Sequence, residues 1–81
     1  MATVKAPLPG TFYRRSGPDA DVYVSEGDTV QAGDVVGLIE VMKTYYEIRC
    51  EEAGLVERFL VQNGEPVEAG QDVVTLTVDD S

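Results

Sequence analysis

Ser25-Glu26-Gly27-Asp28-Thr29-Val30-Gln31-Ala32-Gly33-Asp34-Val35-Val36 recurs downstream as Gln62-Asn63-Gly64-Glu65-Pro66-Val67-Glu68-Ala69-Gly70-Gln71-Asp72-Val73. Gly27 matches Gly64, Val30 matches Val67, and Ala32-Gly33 matches Ala69-Gly70, all at one offset of 37. Upstream, Gly10 in Pro9-Gly10-Thr11-Phe12 matches Gly54 in Ala53-Gly54-Leu55-Val56 at an offset of 44. The difference of seven places an insertion in the first copy, over residues 15–21, where Gly17 and Pro18 predict an exposed loop. Two copies with matched glycines predict a pseudo-symmetric fold built from two intertwined halves. Both copies read as strands: Val35 to Val41, Thr44 to Cys50 and Asp72 to Val78 are rich in β-branched residues or alternate in polarity. Glycines at 27, 33, 54, 64 and 70 read as turns that need φ > 0 and leave little room for a helix. The pattern predicts a small all-β sandwich or barrel.

Eighty-one residues suit one domain, 1–81, and are too few for two. An apolar share of 43% supports a core, and an aromatic share of 7% without Trp means aliphatic side chains must fill it. Phe12, Ile39, Ile48, Leu60, Val67, Val74 and Leu76 are the candidates. The absence of histidine excludes Ser–His and Cys–His nucleophile pairs and His-ligated zinc. A single cysteine, Cys50, excludes an internal disulfide and a Cys-rich metal site, and reads as a small buried hydrophobe. A net charge of −9 repels phosphate backbones and argues against nucleic acid. Val35-Val36-Gly37-Leu38-Ile39 falls far short of the roughly 20 apolar residues of a membrane helix. Met1 to Gly10 shows no secretory pattern, so the expectation is a cytoplasmic domain with no membrane partner.

Only Met42-Lys43 joins the two strongest strand candidates. A two-residue hairpin loop favours Asn-Gly or another Gly-containing pair, because its residues need φ > 0. A non-glycine residue forced there costs about 1 kcal/mol or more. A chain that puts glycine in most other turns and withholds it here is presenting a side chain, and that side chain is a primary amine. Lys5 is the only other lysine.

Glu40-Val41-Met42-Lys43-Thr44 resembles the attachment motif of biotin carboxyl carrier domains, usually Glu-Ala-Met-Lys-Met, whose lysine is biotinylated. The flanks agree from about Val4 to Val78. Ala6-Pro7-Leu8-Pro9-Gly10-Thr11-Phe12-Tyr13-Arg14 is similar to the opening strand of the carrier subunit of bacterial-type acetyl-CoA carboxylase. In that family the strand leads into an insertion called the thumb, and Arg15-Ser16-Gly17-Pro18-Asp19-Ala20 stands in its place with the same Pro-Asp-Ala. Val41 and Thr44 depart from the usual Ala and Met, while Glu40 and Met42 keep the motif. Lipoyl domains are close in fold but typically carry Asp-Lys-Ala at the hairpin.

The resemblance implies a flattened β-barrel, or barrel-sandwich hybrid, of two pseudo-symmetric four-stranded halves with the acceptor lysine on a tight hairpin turn. It implies biotin attached covalently to Lys43 by a biotin protein ligase. Glu40, Val41, Met42 and Thr44 would form the ligase's recognition surface. Ser16, Gly17, Pro18 and Asp19 would form a thumb-like loop near the biotin. It further implies a non-catalytic carrier that shuttles a carboxyl group between a biotin carboxylase and a carboxyltransferase of acetyl-CoA carboxylase, for fatty acid biosynthesis. Three other readings stay open. One is a biotinyl carrier of another acyl-CoA or small-acid carboxylase, the second a lipoyl carrier, and the third an unmodified β-domain used for protein contact. Tyr45 and Tyr46 follow the acceptor, and strand alternation puts one ring inward and the other outward, toward a partner enzyme.

Overall fold

The computed structural model describes residues 2–78; positions 1 and 79–81 of the expected domain lie outside the described residues. The eight strands, in chain order, are β1 (Ala2–Lys5), β2 (Gly10–Tyr13), β3 (Thr29–Val30), β4 (Val35–Val41), β5 (Thr44–Arg49), β6 (Gly54–Phe59), β7 (Pro66–Val67) and β8 (Asp72–Thr77). They form two four-stranded antiparallel sheets, ordered β1-β8-β6-β3 and β5-β4-β2-β7. The two orders are one order written twice: β1 corresponds to β5, β8 to β4, β6 to β2 and β3 to β7. Each sheet takes two strands from each half, which is how the duplicated sequence intertwines.

Hydrogen bonds follow the same pseudo-twofold. Gly27 N donates to Val56 O at 2.8 Å and Gly64 N to Phe12 O at 2.7 Å. Gly33 N donates to Cys50 O and Gly70 N to Ala6 O, both at 2.8 Å. The turns repeat too. Asp28 donates its amide to Ser25 O while its carboxylate accepts from Ser25 N at 2.8 Å, and Glu65 does the same with Gln62. Gly27 and Gly64 occupy the third position of these turns at φ +96° and +88°, the conformation that a type II turn reserves for glycine. Gly54 departs from the expectation. Its φ is not positive, and it is glycine because a Cβ would lie 2.7 Å from the Thr77 carbonyl oxygen.

The inward faces of both sheets close over Phe12, Ile39, Ile48, Leu76 and a set of valines, all essentially inaccessible. Full burial of each such side chain stabilises the fold by roughly 1.5–3 kcal/mol. Phe12 sits beside Phe59, with centroids 6.1 Å apart in a tilted arrangement. Cys50 is buried as expected, and its thiol donates to Gln31 O at 3.0 Å. Leu60 is a correction. It follows the end of β6 between half-buried Phe59 and buried Val61, and alternation turns its side chain out to 40% exposure. No helix among the described residues is long and apolar enough to cross a membrane.

Candidate functional site

Strands β4 and β5 pair without interruption from Gly37↔Ile48 to Val41↔Thr44, which leaves Met42 and Lys43 as the whole turn. Their φ angles are +49° and +66°. Two consecutive residues in the left-handed region make a type I′ turn, whose twist matches that of the flanking strands. Neither residue is glycine, so the turn stores the strain that the sequence implied. Met42 is 93% exposed and Lys43 is also exposed, so the strain is not offset by burying either side chain. Thr44 is exposed beside them, whereas Val41 is half-buried and packs against the core.

The inserted segment is more ordered than the loop expected from its composition. Arg15 and Val22 form an antiparallel bridge, and Ala20 N donates to Gly17 O at 3.1 Å to close a turn at the tip. The Arg15 guanidinium donates to Ala20 O at 3.2 Å. Arg14 anchors the base: its carbonyl accepts from Tyr23 N at 2.9 Å, and its amide donates to Asn63 Oδ1 at 2.7 Å. Its guanidinium lies 4.2 Å over the centroid of Phe59 and donates to Val24 O at 3.3 Å.

Between this projection and the outer face of the second sheet lies a cleft of about 330 Å³, lined by Tyr13, Arg15, Ser16, Gly17, Pro18, Tyr45 and Asn63. Three of the four residues expected in the thumb-like loop, Ser16, Gly17 and Pro18, line it. Asp19 is exposed in the tip turn and does not. Tyr45, two residues beyond Lys43, forms part of the opposite side, so the insertion and the acceptor hairpin share one cleft. Tyr46 faces the inner side beside Ile39, as alternation requires, yet is 44% exposed. Strand β5 is an edge strand, and its first turns reach past the core.

Tyr13 and Asn63 escaped the sequence reading, which placed Arg15 in the insertion without giving it a role at the site. Tyr13 follows buried Phe12 on β2, so its outward placement was available from strand alternation. Asn63 comes from the second copy and could not be placed beside the insertion without the fold. Glu40 is half-buried. The neighbouring Glu40 carboxylate, acting first as an acceptor that favours the protonated phenol, raises the Tyr13 pKa above the usual 10.0; desolvation and the charges of Glu40 and Tyr45 act in the same direction. No group of His, Cys, Asp and Glu suited to a metal ion occurs among the described residues.

A family model described as biotin-requiring enzyme matches residues 2–76. The biotin carboxyl carrier protein of acetyl-CoA carboxylase from Nostoc sp. is 43% identical over 79 residues, covering 98% of this chain and 43% of that protein. The protein of the same name from Pseudomonas aeruginosa is 40% identical over 73 residues, covering 90% of this chain and 47% of that protein. Among solved structures, urea carboxylase from Kluyveromyces lactis aligns with a TM-score of 0.78 at 32% identity, over 94% of this chain and 6% of that one. The chain thus spans less than half the length of these curated relatives.

Proposed function

The chain belongs to the family of biotin-requiring attachment domains, and from that membership we propose that Lys43 is the point of covalent biotin attachment in a carboxyl carrier. The observation that carries this reading is the turn: two non-glycine residues held at positive φ to expose one primary amine. The donor set fits the group. An exposed amine can form an amide with the biotin carboxyl, and an adjoining cleft of mixed aromatic and polar lining suits a small ring system. Attached biotin supplies a ring nitrogen that accepts a carboxyl group at one active site and gives it up at another.

The chain's own residues present and constrain. Amide formation removes the charge of Lys43, so the arm can enter an active site without the desolvation cost of an ammonium. The tight turn fixes the root of the arm, which keeps the ordering entropy of each docking low. Tethering raises the effective concentration at both active sites. Met42, Thr44 and the accessible parts of Glu40 and Val41 form the surface a biotin protein ligase meets. Ser16, Gly17 and Pro18 line the cleft beside the hairpin, with Asp19 at the tip of the same projection. The names of the relatives support acetyl-CoA carboxylase as the parent complex; we propose its biotin carboxylase and carboxyltransferase as partners and the cytoplasm as its place of work. The test is the intact mass after incubation with biotin, ATP and the ligase of the source organism. One biotinyl group on the wild type and none on Lys43→Arg is the expected result; equal masses would overturn the assignment.

A further inference from the structure

Each half of the chain holds the other by one side-chain oxygen at the end of a strand. Asn63 reaches across to the end of β2, where its Oδ1 accepts from Arg14 N at 2.7 Å. Its counterpart at the offset of 37 is Glu26, whose Oε2 accepts from Phe59 N at 3.2 Å, at the end of β6. Phe59 takes the place of Arg14 once the extra residue of the β6 bulge is counted. It pairs with Val74, the counterpart of Gly37, and Gly37 precedes the Leu38 that pairs with Tyr13. A carboxylate therefore suffices for this clamp, and the amide at position 63 brings a group that clamping does not use. A backbone N–H only donates, so Arg14 fixes the Asn63 amide with its oxygen toward the strand end and Nδ2 away from it. Among the described residues Nδ2 makes no hydrogen bond to the chain, and Asn63 lines the cleft shared by the insertion and the acceptor hairpin. Two phenol rings, Tyr13 and Tyr45, line the same cleft, and none of its lining residues is acidic.

We infer that Asn63 binds the carried ring: through Nδ2 it donates a hydrogen bond to the ureido carbonyl of biotin when the arm folds back into the cleft. The inference rests on Lys43 being the point of attachment. Arg14 orders the donor before the ring arrives, so docking does not have to freeze the Asn63 side chain. The amide is also neutral, so the cleft gains a donor without the desolvation cost of a charge. A carboxylate at this position, as at Glu26, would keep the clamp and present only acceptors to a carbonyl.

The experiment follows the Asn63 side-chain NH2 pair by heteronuclear NMR, before and after biotin transfer to Lys43 by the ligase of the source organism. Asn63 is the only asparagine, so its pair is assigned by its loss in Asn63→Asp, and the pairs of Gln31 and Gln71 serve as internal references. Biotinylation is expected to shift the Asn63 pair and the backbone amides of Gly17 and Tyr45 while the reference pairs stay in place. Asn63→Asp keeps an oxygen for the Arg14 N–H, so amide exchange at Arg14 should stay slow. The biotin-induced shifts at Gly17 and Tyr45 should nonetheless fall roughly two- to tenfold in that variant, the change in cleft occupancy that one net hydrogen bond represents. A residue serving only as the clamp would leave them unchanged. An unmoved Asn63 pair in the biotinylated protein, or undiminished shifts in Asn63→Asp, would overturn the role of Asn63 while leaving Lys43 as the acceptor. Failure of the wild type to accept biotin would overturn both.

Discussion

Gly10 and Gly54 are the same position in the two copies, and each lies too close to a neighbouring strand for any side chain. A Cβ on Gly10 would lie 2.5 Å from the Glu40 carbonyl oxygen, and one on Gly54 would lie 2.7 Å from that of Thr77, the counterpart of Glu40. The close approach starts β2 beside the strand that carries the acceptor turn and starts β6 beside the end of β8. Alanine at either position would force backbone apart. Gly10→Ala and Gly54→Ala are each expected to lower unfolding free energy by about 1–3 kcal/mol in denaturant titrations.

The acceptor turn trades stability for presentation. Replacing Met42-Lys43 with Asn-Gly supplies residues that tolerate the left-handed region and is expected to raise unfolding free energy by about 1 kcal/mol. A lower value in the same titration would mean that the two side chains stabilise the turn in a way their exposure does not suggest.

Arg14 ties the inserted hairpin to the body through Phe59 and Val24. Its Nε is buried without a partner, a cost that offsets part of what the cation–π contact and the charged hydrogen bond contribute. Arg14→Met keeps the stem and is expected to cost only about 1 kcal/mol overall. Amide exchange at Tyr23, whose N–H is bonded to the Arg14 carbonyl, should accelerate more than exchange in β4 or β8. Uniform protection would show that the insertion is held by its own turn alone.

Lys5 pairs with Asp72 across β1 and β8. The hydrogen bond from Lys5 is the main cause holding the Asp72 carboxyl below its usual 3.8, assisted by the charge of Lys5 and opposed by desolvation. A folded-state pKa below the unfolded one contributes stability that is present above 3.8 and lost as pH falls through the depressed value. Lys5→Met should therefore be less stable than the wild type near neutral pH, with the difference closing in acid. Melting curves across that range provide the check. Both side chains are about half exposed, so added salt should shrink the difference.

The long strands were legible because Val35 to Val41 and Asp72 to Val78 carry β-branched runs, and the matched glycines declared the duplication before any coordinates. The two-residue strands β3 and β7 carry no such run, and only pairing with β6 and β2 defines them. Gly54 looked like the turn glycines because its reason, the Thr77 carbonyl, is 23 positions away in the chain. Leu60 looked like core because composition does not reveal which way a residue turns once its strand has ended. At the site, the exposed amine was readable from a turn lacking glycine. The cleft was not, since Tyr13, Pro18, Tyr45 and Asn63 meet only when two copies fold across each other.

The interleaving of the halves gives Met42-Lys43 a second character, as the seam of the duplication. Residues 2–41 supply β1 to β4, residues 44–78 supply β5 to β8, and neither fragment can complete either sheet alone. A protease that clips the exposed turn would thus cut the chain without parting its fragments, which stay clasped through four interstrand ladders that cross between them.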